Sequence, residues 1–107
     1  MSYKNLNINS ATTAALVGSA DKARVRLKDG SLQIRFTDRT SLVNLPKTEQ
    51  VVNISAKGNG RRLGLRSAFG ETLEAGSKVA LVYAKYGWYS VVPAIDGLAV
   101  AASVSAK

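Results

Sequence analysis

The sequence contains no cysteine and no histidine. Without cysteine there is no disulfide framework, no thiol nucleophile and no thiolate-ligated metal. Without histidine the chain lacks the commonest general base, the commonest metal ligand and the side chain that titrates near neutral pH. Acid is scarce too: Asp and Glu number 7 against 15 Lys and Arg, for a net charge of +8 over 107 residues. Glu71 and Glu74 are the only close acidic pair, in a stretch that reads as loop. No phosphate-binding Gly-Lys-Ser/Thr, nucleophile elbow or zinc spacing is present. These absences argue against an enzyme and imply no cofactor and no metal. No apolar run approaches the ~18 residues of a membrane span. The polar start, Met1-Ser2-Tyr3-Lys4-Asn5, lacks the apolar segment of a signal peptide. The expectation is a cytoplasmic protein, in the host cytoplasm if it is viral, with no membrane partner.

What is present is ordinary globular material. Hydrophobic residues make up 46% and charged residues 21%, which suits one domain over residues 1–107 with a modest core. The clearest local signal is Lys22 to Thr37, where apolar and polar residues alternate on both sides of Asp29-Gly30. Asp-Gly between alternating runs predicts a hairpin with a type I′ turn, whose two central residues need positive φ. The predicted register sets Arg24 opposite Arg35 and Val25 opposite Ile34. Ala23, Val25, Leu27, Leu32, Ile34 and Phe36 then share one face. Lys22, Arg24, Arg26, Lys28, Gln33 and Arg35 share the other, with no acid among them. Like charges directly opposite in a sheet are destabilising, by up to ~1 kcal/mol. A solvated face and an anion-binding face both fit this hairpin.

A second stretch repeats the arrangement. Val51 to Ser67 contains Asn59-Gly60 between two alternating runs. A two-residue turn there pairs Ala56 with Leu63 and Ile54 with Leu65, and it sets Lys57 against Arg62. Asn53, Ser55, Lys57, Arg62 and Arg66 then form a second acid-free face. Gly64 lies on it, either as a bulge or as a place where a ligand backbone comes close. From Lys22 to Arg66 there are eleven Lys or Arg against three acids, Asp29, Asp38 and Glu49. Charge concentrated in this way is the electrostatic footprint of a nucleic-acid partner.

The rest of the chain is less explicit. Tyr3, Leu6 and Ile8 alternate with asparagines, as in a short strand, and Tyr3 is either a core edge or a base-stacking residue. Ala11 to Ala20 reads as a helical turn or a strand. Asp38-Arg39-Thr40 reads as a turn, followed by a strand over Ser41 to Leu45 that Pro46 stops, and Lys47 to Glu49 as a connector. Ala68 to Ser77 reads as a loop or short helical turn with Phe69 buried. Val79 to Val92 reads as a third hairpin turning at Tyr86-Gly87, with Lys85 opposite Trp88, Ala84 opposite Tyr89 and Val82 opposite Val91. Tyr83, Tyr86, Trp88 and Tyr89 all lie there, either as a core cluster or as a stacking platform. Asp96 to Lys107 reads as a short C-terminal helix or an extra strand, and its small apolar residues suit contact with another subunit. The fold expected is mainly β: a single antiparallel β domain of three hairpins, as a sandwich or a partly open barrel.

Readers of the double helix usually place a helix or ribbon in the major groove, and no confident helix of that kind is visible. Single-strand binders combine a cationic sheet with aromatic side chains that stack on bases. The preferred partner is therefore single-stranded DNA, with RNA as the alternative. Arg24, Arg26, Lys28, Arg35, Lys57, Arg62 and Arg66 are the expected phosphate contacts. Tyr86, Trp88 and Tyr89 are the expected stacking residues.

Two resemblances bear on this. Gly60-Arg61, then Phe69-Gly70, then Leu73-Glu74-Ala75-Gly76-Ser77-Lys78-Val79 and a closing strand pair resemble the swapped-hairpin (AbrB-type) DNA-binding family, without that family's Pro-rich start of the helix. This resemblance implies a dimeric regulator that binds double-stranded DNA. Size, basicity, absence of cysteine and β content are similar to the Drc family, small single-stranded-DNA-binding RNA polymerase cofactors of certain lytic bacterial viruses. That similarity implies an accessory role in viral transcription or replication, a homo-oligomer such as a dimer or tetramer, a phage RNA polymerase partner and a fold unlike the common single-strand binders. A basic virion structural protein is a third class that the charge allows.

Overall fold

The alternation that marks the hairpins in the sequence becomes the wall of a barrel. The computed structural model describes residues 4–37 and 49–106. Its strands are β1 (Lys4–Ile8), β2 (Lys22–Lys28), β3 (Ser31–Thr37), β4 (Glu49–Lys57), β5 (Gly60–Leu65), β6 (Lys78–Lys85), β7 (Trp88–Pro93) and β8 (Ala102–Ala106). They follow one another around a closed barrel in the order β1-β5-β4-β2-β3-β7-β6-β8. The sheet is antiparallel throughout the pairs described. Of the two expected forms it is a barrel and not a sandwich, and it is closed where a partly open one was expected.

The closing strand is β8. The C-terminal stretch is not a helix: β8 pairs with β1 on one side, Leu6 opposite Val104, and with β6 on the other, Val79 opposite Ala102. Alternation decides this, because Ala102 and Val104 are buried while Ser103 and Ser105 are not. A helix would scatter those residues, whereas a strand sorts them onto two faces. Among the described strands, closure also leaves no unpaired sheet edge to attract a neighbouring chain.

The core fills the barrel from every side. Leu6, Val25, Leu32, Ile34, Leu63 and Leu65 are its largest fully buried side chains. Each stabilises the fold by about 1.5–3 kcal/mol relative to exposure. Two short helical segments lie at opposite ends of β1. Helix α1 (Ser10–Thr12) runs on into a π-helical turn over Thr13–Val17, which rests on β3 and buries Val17. The Asn9 side chain caps α1 by accepting from the Thr12 N–H at 2.8 Å. Helix α2 (Ser67–Gly70) packs against β1, β2 and β5 and brings Phe69 into the core, as expected for that stretch.

The β2–β3 register is the expected one, with Arg24 opposite Arg35 and Val25 opposite Ile34. Asp29 and Gly30 have φ of 53° and 79°, as a type I′ turn requires. The second register differs. Ala56 pairs with Arg61, Ile54 with Leu63 and Lys57 with Gly60, so the turn is Gly58-Asn59. Gly58 takes positive φ, 58°, while Asn59 does not, the arrangement of a II′ turn with glycine in first position. Gly60 is moved out of the turn by a steric demand: a Cβ there would collide with the Ile8 carbonyl oxygen. The two-residue slip preserves the faces but sets Arg62 opposite Ser55 instead of Lys57.

The third register also differs. Tyr83 pairs with Tyr89, Leu81 with Val91 and Val82 with Ser90, and the register shifts between Tyr83 and Lys85. One extra residue on β6 rotates Val82 outward and Tyr83 toward Tyr89. Lys85 still meets Trp88, and Tyr86 and Gly87 have φ of 54° and 82°. Gly64 is not a bulge, because the β1–β5 register runs through it unbroken. The readings of Tyr3 and of residues 38–48 fall outside the described residues.

Candidate nucleic-acid interface

The two basic hairpins are joined edge to edge. Strand β4 pairs with β2, with Lys22 opposite Asn53, Arg24 opposite Val51 and Arg26 opposite Glu49. The outer faces of β5, β4, β2 and β3 therefore form one surface. It carries Arg62, Lys57, Lys22, Arg24, Arg26, Lys28 and Arg35. Glu49 is the single acid among the described residues of these four strands. Arg66 lies one residue beyond β5 and is exposed.

Glu49 is the correction to an acid-free surface. It forms an ion pair with Arg24, whose Nε also donates to Glu49 Oε1 at 2.9 Å. Among the described residues this is the only ion pair. Arg24 is thus already neutralised within the chain. The partner comes from a strand that the first hairpin alone could not reveal.

The arginines of β2 then reach across β3 to Trp88 on β7. The Arg26 guanidinium carbon lies 3.9 Å from the Trp88 ring centroid and that of Arg24 5.5 Å. Trp88 is only 4% exposed. Its expected role as a base-stacking residue does not fit this arrangement, because guanidinium groups occupy the ring. The ring instead holds the cations in place, by about 0.5–2 kcal/mol per contact. Arg26 Nε also donates to Gln33 Oε1 at 2.8 Å, and Gln33 Nε2 to Ser90 Oγ at 3.2 Å. With Nε engaged and one face stacked, the terminal nitrogens of Arg26 are the donors left for a ligand. A guanidinium so placed suits a phosphate, which it can meet with two parallel N–H bonds.

Lys57 and Arg62 are not register partners, yet they converge. Lys57 Nζ and Arg62 Nε each lie 3.3 Å from Asn7 Oδ1. An uncharged amide gathers two cations without cancelling either. Asn7 in turn donates to Ser105 Oγ at 2.9 Å. Lys22 Nζ donates to Asn53 Oδ1 at 2.8 Å. Lys4, by contrast, is committed to the Gly70 and Leu73 carbonyl oxygens at 3.0 and 2.7 Å and anchors α2.

The other aromatics of this region lie on the core side of the sheet or at the β6–β7 turn. Phe36 and Tyr89 are half-buried, with centroids 6.3 Å apart. Tyr83 stands edge-on to Tyr89 at 5.4 Å and is 59% exposed. Tyr86 is 76% exposed at the β6–β7 turn, with the Lys85 ammonium 5.5 Å from its ring centroid. Arg35 lies against the same turn: a Cβ on Gly87 would sit 3.3 Å from its Nε. Tyr89, opposite the buried Ile34, lies on the core side of the sheet and not on the basic face, so its expected stacking role does not fit. Tyr86 stands at the turn beside Arg35, where a strand crossing the cations would meet it.

Sequence reasoning missed Glu49, Asn7 and Gln33 as organisers of this face. The outward position of Asn7 was legible from its alternation with Leu6 and Ile8, but the strand placed beside it was not. An apolar groove of about 340 Å³ runs between α1 and the loop at Ala99–Ala101, over Leu81. Family models, curated proteins and solved structures were each compared with the chain, and none matches.

Proposed function

We propose that the chain is a single-stranded nucleic-acid-binding protein, largely indifferent to base sequence, with single-stranded DNA as its first partner and RNA as its second. The observation that carries this reading is the continuous outer face of β5, β4, β2 and β3, where, among the described residues, Glu49 alone opposes a field of lysines and arginines. Surfaces selected only for solubility intersperse both signs. Here the cations are gathered by uncharged partners: Asn7, Asn53, Gln33 and the Trp88 ring. Arg26, Lys28, Arg35, Lys57, Arg62 and Arg66 meet phosphates in this reading, and Arg24 does so by exchanging Glu49 for a phosphate oxygen. Tyr86 supplies a base contact. The role is one of binding and not of catalysis, in keeping with an accessory factor for transcription or replication.

The test is binding of a labelled 20-nucleotide single strand, the matching duplex and the matching RNA, each at two salt concentrations. Affinity for the single strand should fall steeply with salt, log K changing by about −0.7 per log unit of salt for each phosphate contacted. Binding that does not respond to salt, or a preference for duplex at equal length, overturns the reading. The second result would favour a duplex-binding regulator.

A further inference from the structure

We propose that Tyr86, on the turn that Tyr83 braces, forms a stacking site for one unpaired nucleobase, and that this site makes the protein select single strands over duplex. The inference rests on the reading above and adds to it a specific base-binding element. It starts from the conformation of Tyr86. This residue holds φ at 54°, in the left-handed region, which an aromatic residue adopts only at a cost in stability. The matching position of the first hairpin is Asp29, a usual turn former. Burial does not compensate Tyr86, because it is the most exposed large apolar side chain among the described residues, at 76%. A strained, exposed aromatic that gains nothing from the fold points to a role outside it.

The surroundings of Tyr86 are those of a base site. The Lys85 ammonium lies 5.5 Å from its ring centroid, so a cation and a stacking face are presented together. Tyr83, a member of the aromatic cluster but not one of the expected stacking residues, is 59% exposed. Its hydroxyl accepts from the Gly87 N–H at 3.3 Å and braces the turn that carries Tyr86. Tyr89 supports Tyr83 from behind, edge-on at 5.4 Å. Arg35 packs on Gly87 and connects the turn to the basic face. A phosphate chain that follows the cations to Arg35 therefore arrives at the turn that carries Tyr86. Bases within a duplex have both faces covered by their neighbours, whereas an unpaired base can turn one face onto a ring.

The test compares the unsubstituted protein with Tyr86→Asn and Tyr86→Phe. Asparagine tolerates positive φ, so Tyr86→Asn should melt no lower than the parent. It should bind an oligothymidine strand about ten-fold more weakly, the expected loss for one stacked base, with the slope against salt unchanged and duplex affinity unchanged. An abasic strand of equal length should not distinguish the two proteins. Tyr86→Phe should keep the parent affinity, and Tyr83→Phe should keep most of it. Equal oligothymidine binding by Tyr86→Asn and the parent overturns the base site while leaving the phosphate reading intact. An equal loss on duplex, single strand and abasic strand overturns it as well. A parent protein that binds no single strand at any salt removes both readings.

Discussion

Arg26 lies over Trp88, its guanidinium carbon 3.9 Å from the ring centroid. The chain has one tryptophan, so its emission reports on the basic face alone. Arg26→Ala should uncover the ring, shift the emission to longer wavelength and weaken single-strand binding. Arg26→Lys should retain the charge but lose the planar stack, and bind less well than the parent. Addition of an oligonucleotide to the unsubstituted protein should perturb the same emission. A Trp88 signal indifferent both to Arg26→Ala and to saturating single strand would contradict this geometry.

Glu49 restrains the surface that it belongs to. Its ion pair with Arg24 is half-buried, with side-chain exposures of 29% for Arg24 and 9% for Glu49. Glu49→Gln should lower stability by about 1 kcal/mol, read from chemical denaturation, because a charge-assisted bond becomes a neutral one. It should also tighten single-strand binding and steepen the salt slope by about 0.7, since Arg24 is released. A weaker complex would mean that Glu49 itself serves the ligand.

Two glycines of β5 should respond in opposite directions. At Gly60 a Cβ would overlap the Ile8 carbonyl oxygen, which is main chain and can move only by breaking the β1–β5 pairing. Gly60→Ala should cost at least ~2 kcal/mol. At Gly64 the nearest atom to a new Cβ is Asn5 Oδ1 at 3.8 Å, an ordinary contact. Gly64→Ala should leave stability unchanged or raise it by up to ~1 kcal/mol, because glycine is costly within a strand. Thermal melts of the two variants side by side check this.

The barrel seam gives a further prediction. Val104 is 2% exposed and opposite Leu6. Val104→Asp would place an unpaired carboxylate in the core and should unfold the protein at 25 °C. The same change at Ser105, on the outer side of the strand, should leave it folded. Circular dichroism distinguishes the outcomes, and equal tolerance of both would mean that β8 does not close the barrel.

Much of this was legible in the residues. Strict alternation around Asp29-Gly30 determined the faces, the turn type and the register of β2 and β3, because each is set within sixteen consecutive residues by backbone sterics and side-chain period. The same local logic located β1, the buried Phe69 and the excess of cations between Lys22 and Arg66. The two other registers were not local matters. The Gly60 position is decided by contact with Ile8, and the extra residue on β6 by how Tyr83 and Leu81 meet β7. Only the closed ring could set β4 beside β2, bring Glu49 to Arg24, gather Lys57 and Arg62 on Asn7, and cover Trp88 with Arg26. Those are pairings between residues distant in sequence, and their energy depends on which strands become neighbours, a quantity that no single stretch of chain contains.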